Sequence, residues 1–278
     1  MKRGFAVERV NFYEEVAMNL GLKGKVVIVT GGSKGIGLAC ARAFLMEHGR
    51  VAIVSRSAAN LAAALRGLAA PENNLIAVPC DLTGSSAAYA MMSEVERRLG
   101  PVDVLVNSAG AAKRYLPEEL NADAWHAAME AKYFTYIHAM DAVLPAMVKR
   151  GKGVIVNIIG MGGKVAMPIH LPGGAANSAL MLATVGLANV YGPKGLRINA
   201  INPGSTMTER VREALKLEAK ARGLSENEVL AQGQTKVPLK RYAAPEDIAN
   251  LTLFLASDKA SYITGVVIPM DGGSNPVI

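Results

Sequence analysis

The sequence predicts an α/β protein in which a parallel sheet of about seven strands carries helices on both faces. Short apolar runs rich in Val and Ile alternate along the chain with longer segments of helical periodicity. Strands that are apolar at successive positions are typical of a sheet covered on both faces. Repeated strand–helix–strand units join parallel strands through right-handed crossovers, so we expect a doubly wound sheet. Such folds bind ligands at the carboxyl ends of their strands.

Each element is predicted from its own stretch of residues. In chain order, the apolar runs predict strands at residues 25–30, 50–55, 74–80, 102–109, 153–159, 197–202 and 265–270. Helical patterns occupy residues 36–48, 58–69, 85–99, 123–149, 174–191, 207–232 and 245–256. With 278 residues, 51% of them hydrophobic, the chain is long enough to bury one large core.

We expect a single domain over residues 23–278, preceded by an extension. Residues 1–22 predict an N-terminal helical extension that packs on the body or on a partner subunit. Its apolar face consists of Phe5, Val10, Tyr13, Val16 and Leu20.

A second appended segment, residues 205–238, follows the sixth strand. Ser225 and Glu228 have the spacing of a capping box, which predicts that a second helix starts there. A helical pair at the ligand end of a sheet is suited to a substrate lid. The alternative is that the pair forms only surface.

Composition argues against several other classes of function. The net charge is +7, but Lys and Arg are scattered and interleaved with Glu, so no nucleic-acid partner is predicted. No continuous apolar run approaches the roughly 18 residues of a membrane span, and the N-terminus has no signal-peptide pattern. Cys40 and Cys80 form no CxxC motif; we interpret them as reduced thiols. We therefore expect a cytoplasmic protein without a membrane partner and without a metal site.

A glycine-rich segment, "VVIVTGGSKGIG" (26–37), follows a strand and opens a helix. Gly31, Gly35 and Gly37 allow the backbone to turn tightly and approach a phosphate at the positive end of the helix. A lone glycine triplet is weak evidence, but the strand–loop–helix context favours a dinucleotide site of the Rossmann type.

Further motifs follow in order. They are "CDLT" (80–83), "NSAG" (107–110), "INPG" (201–204) with Thr208 beyond it, and "SYITGVVIPMDGG" (261–273). Together with "TGGSKGIG" (30–37), they make the chain resemble the short-chain dehydrogenase/reductase family over residues 22–273. The resemblance implies a cofactor site formed by Gly31, Ser33, Lys34, Gly35, Ile36, Gly37, Ser55, Arg56, Asp81, Leu82, Asn107, Ala109, Gly110, Asn177, Pro203 and Gly204.

By the same resemblance, Asp81 and Leu82 flank the adenine. Asn107, Ala109 and Gly110 line the ribose and the sheet core. Pro203 and Gly204 lie near the nicotinamide.

The end of the second strand favours NADP(H) over NAD(H) as the cofactor. An NAD site of this type has an acidic residue there that binds the ribose 2′-hydroxyl. This chain has Ser55 and Arg56 instead, with Lys34 in the glycine loop. Two cations and a hydroxyl are suited to a 2′-phosphate. The alternative is that both cations are only exposed charges.

The residues that usually perform catalysis in the family are replaced. The resemblance implies a Tyr and a Lys four residues later, a Ser after the fifth strand and an Asn in the fourth helix. Gly173, Asn177, Gly160 and Lys132 stand at those positions. No Tyr elsewhere in the chain is followed by a Lys at the required spacing.

Two residues are candidates for the missing proton transfer. Lys132 is the first, because a desolvated lysine has a lowered pKa and can act as an acid or base. The alternative is a lysine whose stem packs while its head reaches water. His170 is the second, because imidazole titrates near neutral pH. Its alternative role is that of an ordinary loop histidine.

Three further cations come from loops at the same end of the sheet. With Lys132, they predict a positive rim suited to a small anionic substrate; the alternative is surface charge. These cations are Lys113, Arg114 and Lys164.

Three functions remain open from the sequence. The first is an NADP-dependent oxidoreductase with a non-standard proton donor that acts on a carbonyl or hydroxyl group. The second is a non-redox enzyme that uses a pocket enlarged by the two glycines. The third is an NADP-binding sensor without turnover. The resemblance also implies a homo-oligomer, either a dimer or a tetramer, paired through the fourth and fifth predicted helices and the last strand. Residues 125–140 of the fourth helix are apolar or aromatic on more than one face, which fits such a contact; the alternative is burial within one chain.

Overall fold

A computed structural model describes residues 18–110 and 113–276 of the chain. Seven strands, all parallel to their neighbours, form one sheet in the order β3-β2-β1-β4-β5-β6-β7. The predicted doubly wound fold is thereby confirmed. The strands are β1 (Val26–Thr30), β2 (Arg50–Ser55), β3 (Leu75–Pro79), β4 (Val104–Asn107), β5 (Gly153–Ile158), β6 (Leu196–Pro203) and β7 (Val267–Met270).

Helices cover both faces of this sheet. They are α1 (Gly35–Met46), α2 (Ala58–Leu68), α3 (Ser85–Leu99), α4 (Ala122–Ala128), α5 (Thr135–Arg150), α6 (Leu171–Tyr191), α7 (Glu209–Arg222), α8 (Glu226–Thr235) and α9 (Pro245–Ala256).

One predicted helix differs from the observed structure, and the predicted start of a second helix after Ser225 is observed. The stretch predicted as one helix over 123–149 contains a π-helical turn, Met129–Phe134, between α4 and α5. The stretch 207–232 is two helices, because Gly223 ends α7 with a φ of +67° that favours glycine. Ser225 and Glu228 then form the predicted capping box at the start of α8.

The alternating side chains of the strands enter two separate cores. In β1, Val26 and Ile28 pack in the core that includes residues of α3 and α5. Val27 and Val29 point to the opposite face, where α1 and α9 pack. Burial on both faces explains why the strands are continuously apolar.

The predicted N-terminal extension lies mostly outside the described residues. Residues 1–17 are not described, and residues 18–22 form no helix. Leu22 is buried and belongs to the core on the α1 face. The proposed division at residue 22 stays a prediction.

One helical stretch corrects the expectation about membrane-length segments. Pro168–Lys194 is long and apolar enough to cross a membrane by length and composition, and 39% of its most apolar window is buried within the protein. The run is not continuous in sequence, because Asn177, Ser178 and Thr184 interrupt it. Leu180 and Thr184 are buried, so we interpret the helix as a core element with one exposed face.

Candidate active site

The glycine loop lies at the carboxyl end of β1, next to β4. Gly31 and Gly35 have φ angles of +66° and +53°, which favour glycine. A Cβ on Gly31 would lie 2.7 Å from the Ser108 carbonyl oxygen and 2.9 Å from the Ala109 nitrogen. The Thr30 hydroxyl accepts hydrogen bonds from the Ser108 and Ala109 N–H groups at 3.1 and 3.2 Å. These contacts hold the glycine loop against the loop that follows β4.

A cavity of about 820 Å³ opens beside this loop. Its volume is sufficient for a large organic ligand. Ten of the sixteen predicted cofactor residues line it: Gly31, Lys34, Gly35, Ile36, Ser55, Arg56, Asp81, Leu82, Ala109 and Gly110.

The other six predicted cofactor residues are not in its lining; they are Ser33, Gly37, Asn107, Asn177, Pro203 and Gly204. Two of them have evident structural contacts. A Cβ on Gly37 would collide with the Gly31 carbonyl. The fully buried Asn107 donates to the Asn157 side-chain oxygen at 3.0 Å.

The polar end of the cavity lies at β2 and β3. Ser55 and Arg56 follow β2, and Asp81 follows β3. Hydrogen bonds from the Thr83 N–H and hydroxyl lower the pKa of Asp81, and the charge of Arg56 contributes to a lesser extent. Arg56 is exposed, so its guanidinium is accessible to an anionic group of a ligand.

The start of α7 forms part of the cavity wall. The sequence predicted a segment near the ligand here but not which of its residues line the cavity. Thr208, Glu209, Arg210 and Glu213 line the cavity. The Glu209 carboxylate lies 3.3 Å from the Lys34 Nζ of the glycine loop. The segment predicted as a lid therefore contacts the glycine loop directly. In the sequence, only the position of this segment after β6 indicated that it would lie near the cavity. Which residues of the helix face inward depends on how the helix docks on the sheet.

Lys132 lies within the π-helical turn and is 7% exposed. It is the only buried Lys, Arg, Asp or Glu among residues 18–110 and 113–276. Its Nζ donates to the Tyr136 Oη at 2.7 Å and to the Ile158 carbonyl at 3.3 Å. The Tyr136 hydroxyl donates to the same carbonyl at 2.5 Å. Burial, assisted by the positive charge of Arg210, lowers the pKa of Lys132 to about 7.

His170 is half-buried immediately before α6. Its Nδ1 is buried and has no hydrogen-bond partner in the described part of the chain. Burial lowers the pKa of His170, and the charges of Arg114, Arg210 and Lys132 lower it further. The Tyr115 N–H donates to the Ile169 carbonyl at 3.1 Å, which holds the loop of Arg114 beside the turn of His170.

The backbone around Gly160 is adapted to glycine. Gly160 has a φ of +132°, a region that side chains rarely adopt. Its N–H donates to the Asn202 side-chain oxygen at 3.3 Å. A Cβ here would have only the Asn177 Nδ2 within 4 Å, at 3.4 Å. Space therefore remains beside Gly160, but a side chain placed there would strain the backbone.

The start of α6 is packed closely against the segment after β5. A Cβ on Gly174 would lie 2.6 Å from the Gly162 carbonyl oxygen. Gly173 and Asn177 are both buried in the same helix. Gly160, Gly173 and Asn177 do not appear in the lining of the large cavity, so the predicted enlargement of that pocket stays a prediction.

The predicted positive rim is only partly assembled. Arg114 acts on His170, as described above. Lys113 and Lys164 are exposed, and the Nζ of Lys113 lies 5.1 Å from the centre of the Tyr115 ring. Neither lysine lines the large cavity. The sequence analysis did not select Arg210. Its positive charge lowers the pKa of both Lys132 and His170.

A glycine loop at the switch between β1 and β4, beside a cavity lined by Lys34 of that loop and by Arg56 after β2, is typical of a dinucleotide-binding domain. Comparisons with known proteins identify the family. The family model described as "Enoyl-(Acyl carrier protein) reductase" matches residues 31–275. The chain belongs to the short-chain dehydrogenase/reductase family of oxidoreductases.

Several relatives match nearly the whole chain. The 2-(S)-hydroxypropyl-CoM dehydrogenase 3 of Xanthobacter autotrophicus is 33% identical, over 92% of this chain and 98% of its own length. L-sorbose reductase of Gluconobacter frateurii, solved with NADPH and L-sorbose, superposes with a TM-score of 0.88 at 29% identity and covers 94% of this chain and 100% of that one.

A third relative is a short-chain oxidoreductase of Pseudomonas aeruginosa, solved with NADPH and described as containing an atypical catalytic center. It is 31% identical, with a TM-score of 0.83, and the match covers 91% of this chain and 98% of that one.

Proposed function

We propose that this protein is an NADP(H)-dependent oxidoreductase that acts on a carbonyl or hydroxyl group of a small molecule, with Lys132 as its proton-transfer group. The observation that carries the proposal is the buried Lys132 ammonium, held by Tyr136 and the Ile158 carbonyl with a pKa of about 7. A group with such a pKa both gives and takes protons at neutral pH.

The cavity fits a dinucleotide in its volume and in its polar groups. Lys34, Ser55 and Arg56 would hold the 2′-phosphate, which favours NADP(H) over NAD(H). The NADPH that is present in structures of relatives supports the same cofactor. When bound, this cofactor supplies or accepts the hydride.

Lys132 retains capacity for a further hydrogen bond. As an ammonium it has three N–H donors, and two are directed at the Tyr136 hydroxyl and the Ile158 carbonyl. We propose that the third donates to the substrate oxygen, directly or through a water. His170 is the second candidate for this role, because an imidazole can exchange a proton and its Nδ1 has no hydrogen-bond partner within the described residues.

The family's usual proton donor is not expected at its own positions. We propose that Gly160, Gly173 and Asn177 occupy the Ser, Tyr and Lys positions of the family. The φ of +132° at Gly160 supports this assignment, because it disfavours any side chain there. The same observation supports the alternatives of an NADP-binding sensor or a non-redox enzyme.

Turnover assays with Lys132→Met test the proposal. We expect NADPH oxidation with a panel of carbonyl compounds, and a decrease in kcat/KM of about 100-fold or more in the variant. Lys149→Met removes an exposed lysine of α5 and is the matched control. Fluorescence titration should show tighter binding of NADPH than of NADH.

The outcomes separate the three functions. Equal turnover by Lys132→Met and by the wild type would show that another group transfers the proton. NADPH binding without consumption of NADPH or carbonyl compound would favour the sensor. Product formation without net NADPH consumption would indicate the non-redox enzyme.

A further inference from the structure

We infer that the site holds an oxyanion of its substrate, bound by Arg210 of the lid together with Arg114 and His170 beside Lys132. The ligand class is a small organic acid whose carboxylate or phosphate lies close to the reacting carbonyl. The inference rests on the proposed function, because it assigns the substrate class of the same site.

The first feature is the positive charge around Lys132 and His170. Arg210, Arg114 and Lys132 all act on His170, and Arg210 also acts on Lys132. No carboxylate is among the charged groups that influence either Lys132 or His170. Lys132 is buried, so its charge is poorly screened by water. Arg210 is the member of this group that lines the cavity. Because no carboxylate influences Lys132 or His170, a ligand that reaches them past Arg210 is expected to be anionic.

The second feature is the exposed Arg210 side chain in the cavity wall. It lies in the first turn of α7, is exposed, and lines the cavity. It forms no ion pair within the described residues, whereas its neighbour Glu209 is paired with Lys34 at 3.3 Å. The Arg210 guanidinium is therefore available to a ligand, and its planar donors can grip a carboxylate or phosphate in a bidentate manner.

The third feature is the polar surroundings of His170 at the start of α6. The His170 Nδ1 is buried without a partner in the described part of the chain, which is costly unless a ligand or water satisfies it. A Cβ on Gly162 would lie 3.2 Å from the His170 ring and 3.6 Å from the Asn177 Nδ2. The Cδ2–Nε2 edge of the imidazole and the Asn177 amide therefore both lie beside Gly162, in the segment that follows β5, where Lys132 binds the Ile158 carbonyl.

Calorimetric titration of the full-length protein with saturating NADP⁺ tests the inference. Saturating NADP⁺ is expected to fill the positions that bind the phosphates of the cofactor. An added anion then binds only to the proposed substrate site beside Arg210. The probes are oxamate, which carries a carboxylate beside a carbonyl, its neutral analogue oxamide, and inorganic phosphate. We expect oxamate or phosphate to bind and oxamide not to bind. Tighter binding of oxamate would indicate a carboxylate ligand, and tighter binding of phosphate would indicate a phosphate ligand.

Arg210→Ala should weaken binding of the anion about 10-fold, because a charged hydrogen bond is lost. Arg212→Ala removes another exposed cation from the same helix that does not line the cavity, and it should change the affinity by less than about twofold, as a surface charge does. Equal losses in both variants, or no binding of either anion to the wild type, would overturn the inference.

Proton uptake gives a second readout. An anion beside Lys132 and His170 stabilises their charged forms, so titrations at pH 8 in buffers of different ionisation enthalpy should show net uptake. The groups that face Lys132 are the Tyr136 hydroxyl, the Ile158 carbonyl and Arg210; those that act on His170 are Arg114, Arg210 and Lys132. Lys132→Met should reduce the uptake, and unchanged uptake would contradict the arrangement.

This inference and the proposed function fail separately. Anion binding that depends on Arg210 in a protein that never oxidises NADPH would retain the anion site and reject the oxidoreductase. NADPH-dependent turnover of neutral carbonyl compounds, without binding of oxamate or phosphate, would retain the oxidoreductase and reject the anion site.

Discussion

At the scale of single residues, Lys132 shows what burial does to an ionisable group. A lysine placed among apolar side chains loses the hydration of its ammonium, and this loss disfavours the charged form. The Tyr136 hydroxyl and the Ile158 carbonyl replace part of that hydration. Sequence reasoning selected Lys132 because of its position relative to the family's motif. Its burial and its pairing with Tyr136 depend on the π-helical turn, for which the sequence has no clear signal.

The pKa of Lys132 predicts a pH dependence of stability without any ligand. Its pKa falls from 10.5 to about 7 on folding, so between these values the unfolded chain binds more protons. The free energy of unfolding should therefore rise with pH in this range, and burial of the charged form opposes folding fully below pH 7. Between pH 7 and 9 the contribution amounts to about 2 kcal/mol.

Urea unfolding of the wild type and of Lys132→Met at pH 7 and 9 measures this contribution. The variant lacks the contribution of Lys132, so the difference in the free energy of unfolding between the two proteins should change by about 2 kcal/mol from pH 7 to pH 9. Lys149→Met controls for the loss of a lysine at the surface. Parallel pH profiles of wild type and Lys132→Met would show that Lys132 is hydrated in solution.

At the scale of elements, the close approach of α6 to the turn after β5 organises the catalytic end of the sheet. Gly174 lies against the Gly162 carbonyl, and Ser178 donates to the Gly163 carbonyl at 2.6 Å. The sequence predicted helix α6 but started it at residue 174 instead of Leu171. The sequence has no signal for the earlier start, because no side chain caps the first turn of α6. Apolar periodicity likewise does not reveal that the backbones of Gly174 and Gly162 lie in contact.

Gly174→Ala should destabilise the protein, because its Cβ would lie 2.6 Å from backbone that cannot rotate away. We expect a loss of about 1–3 kcal/mol, as for other overpacked sites. Gly67→Ala is the matched control: Gly67 lies within α2, and a Cβ on it would meet nothing within 4 Å. That substitution should stabilise by up to about 1 kcal/mol through helix propensity. Thermal unfolding of both variants and of the wild type measures these changes. A Gly174→Ala variant as stable as the wild type would mean that the turn after β5 can shift.

At the scale of the whole molecule, the parallel sheet brings distant segments to one edge. Parallel strands all end on the same side, so four segments meet there: the glycine loop after β1, Arg56 after β2, the π-helical turn and the first turn of α7. One outer face of α6 remains apolar, with Leu182 77% exposed and Val190 57% exposed. We propose that a second copy of the chain covers this face, as the expected homo-oligomer requires.

Leu182→Glu should dissociate such an oligomer, because it places a charge in an apolar contact. Light scattering after size-exclusion chromatography should give the mass of a dimer or tetramer for the wild type and of a smaller species for the variant. Met46→Glu, on α1 at a similar exposure of 73%, should leave the assembly unchanged. A monomeric wild type would contradict the proposal.

The sequence by itself determined the fold class, the glycine loop after β1 and ten of the 22 residues that line the cavity. These features depend on local patterns: apolar strands, glycines where the backbone must turn, and motifs at regular spacing. The tertiary structure alone decided the π-helical turn at Lys132, the partners of Lys132, and the arrival of Arg210 beside His170. These depend on how helices dock on the sheet, and docking is set by packing between residues far apart in the chain. A sequence pattern predicts which face of an element is buried but not which polar side chains then meet.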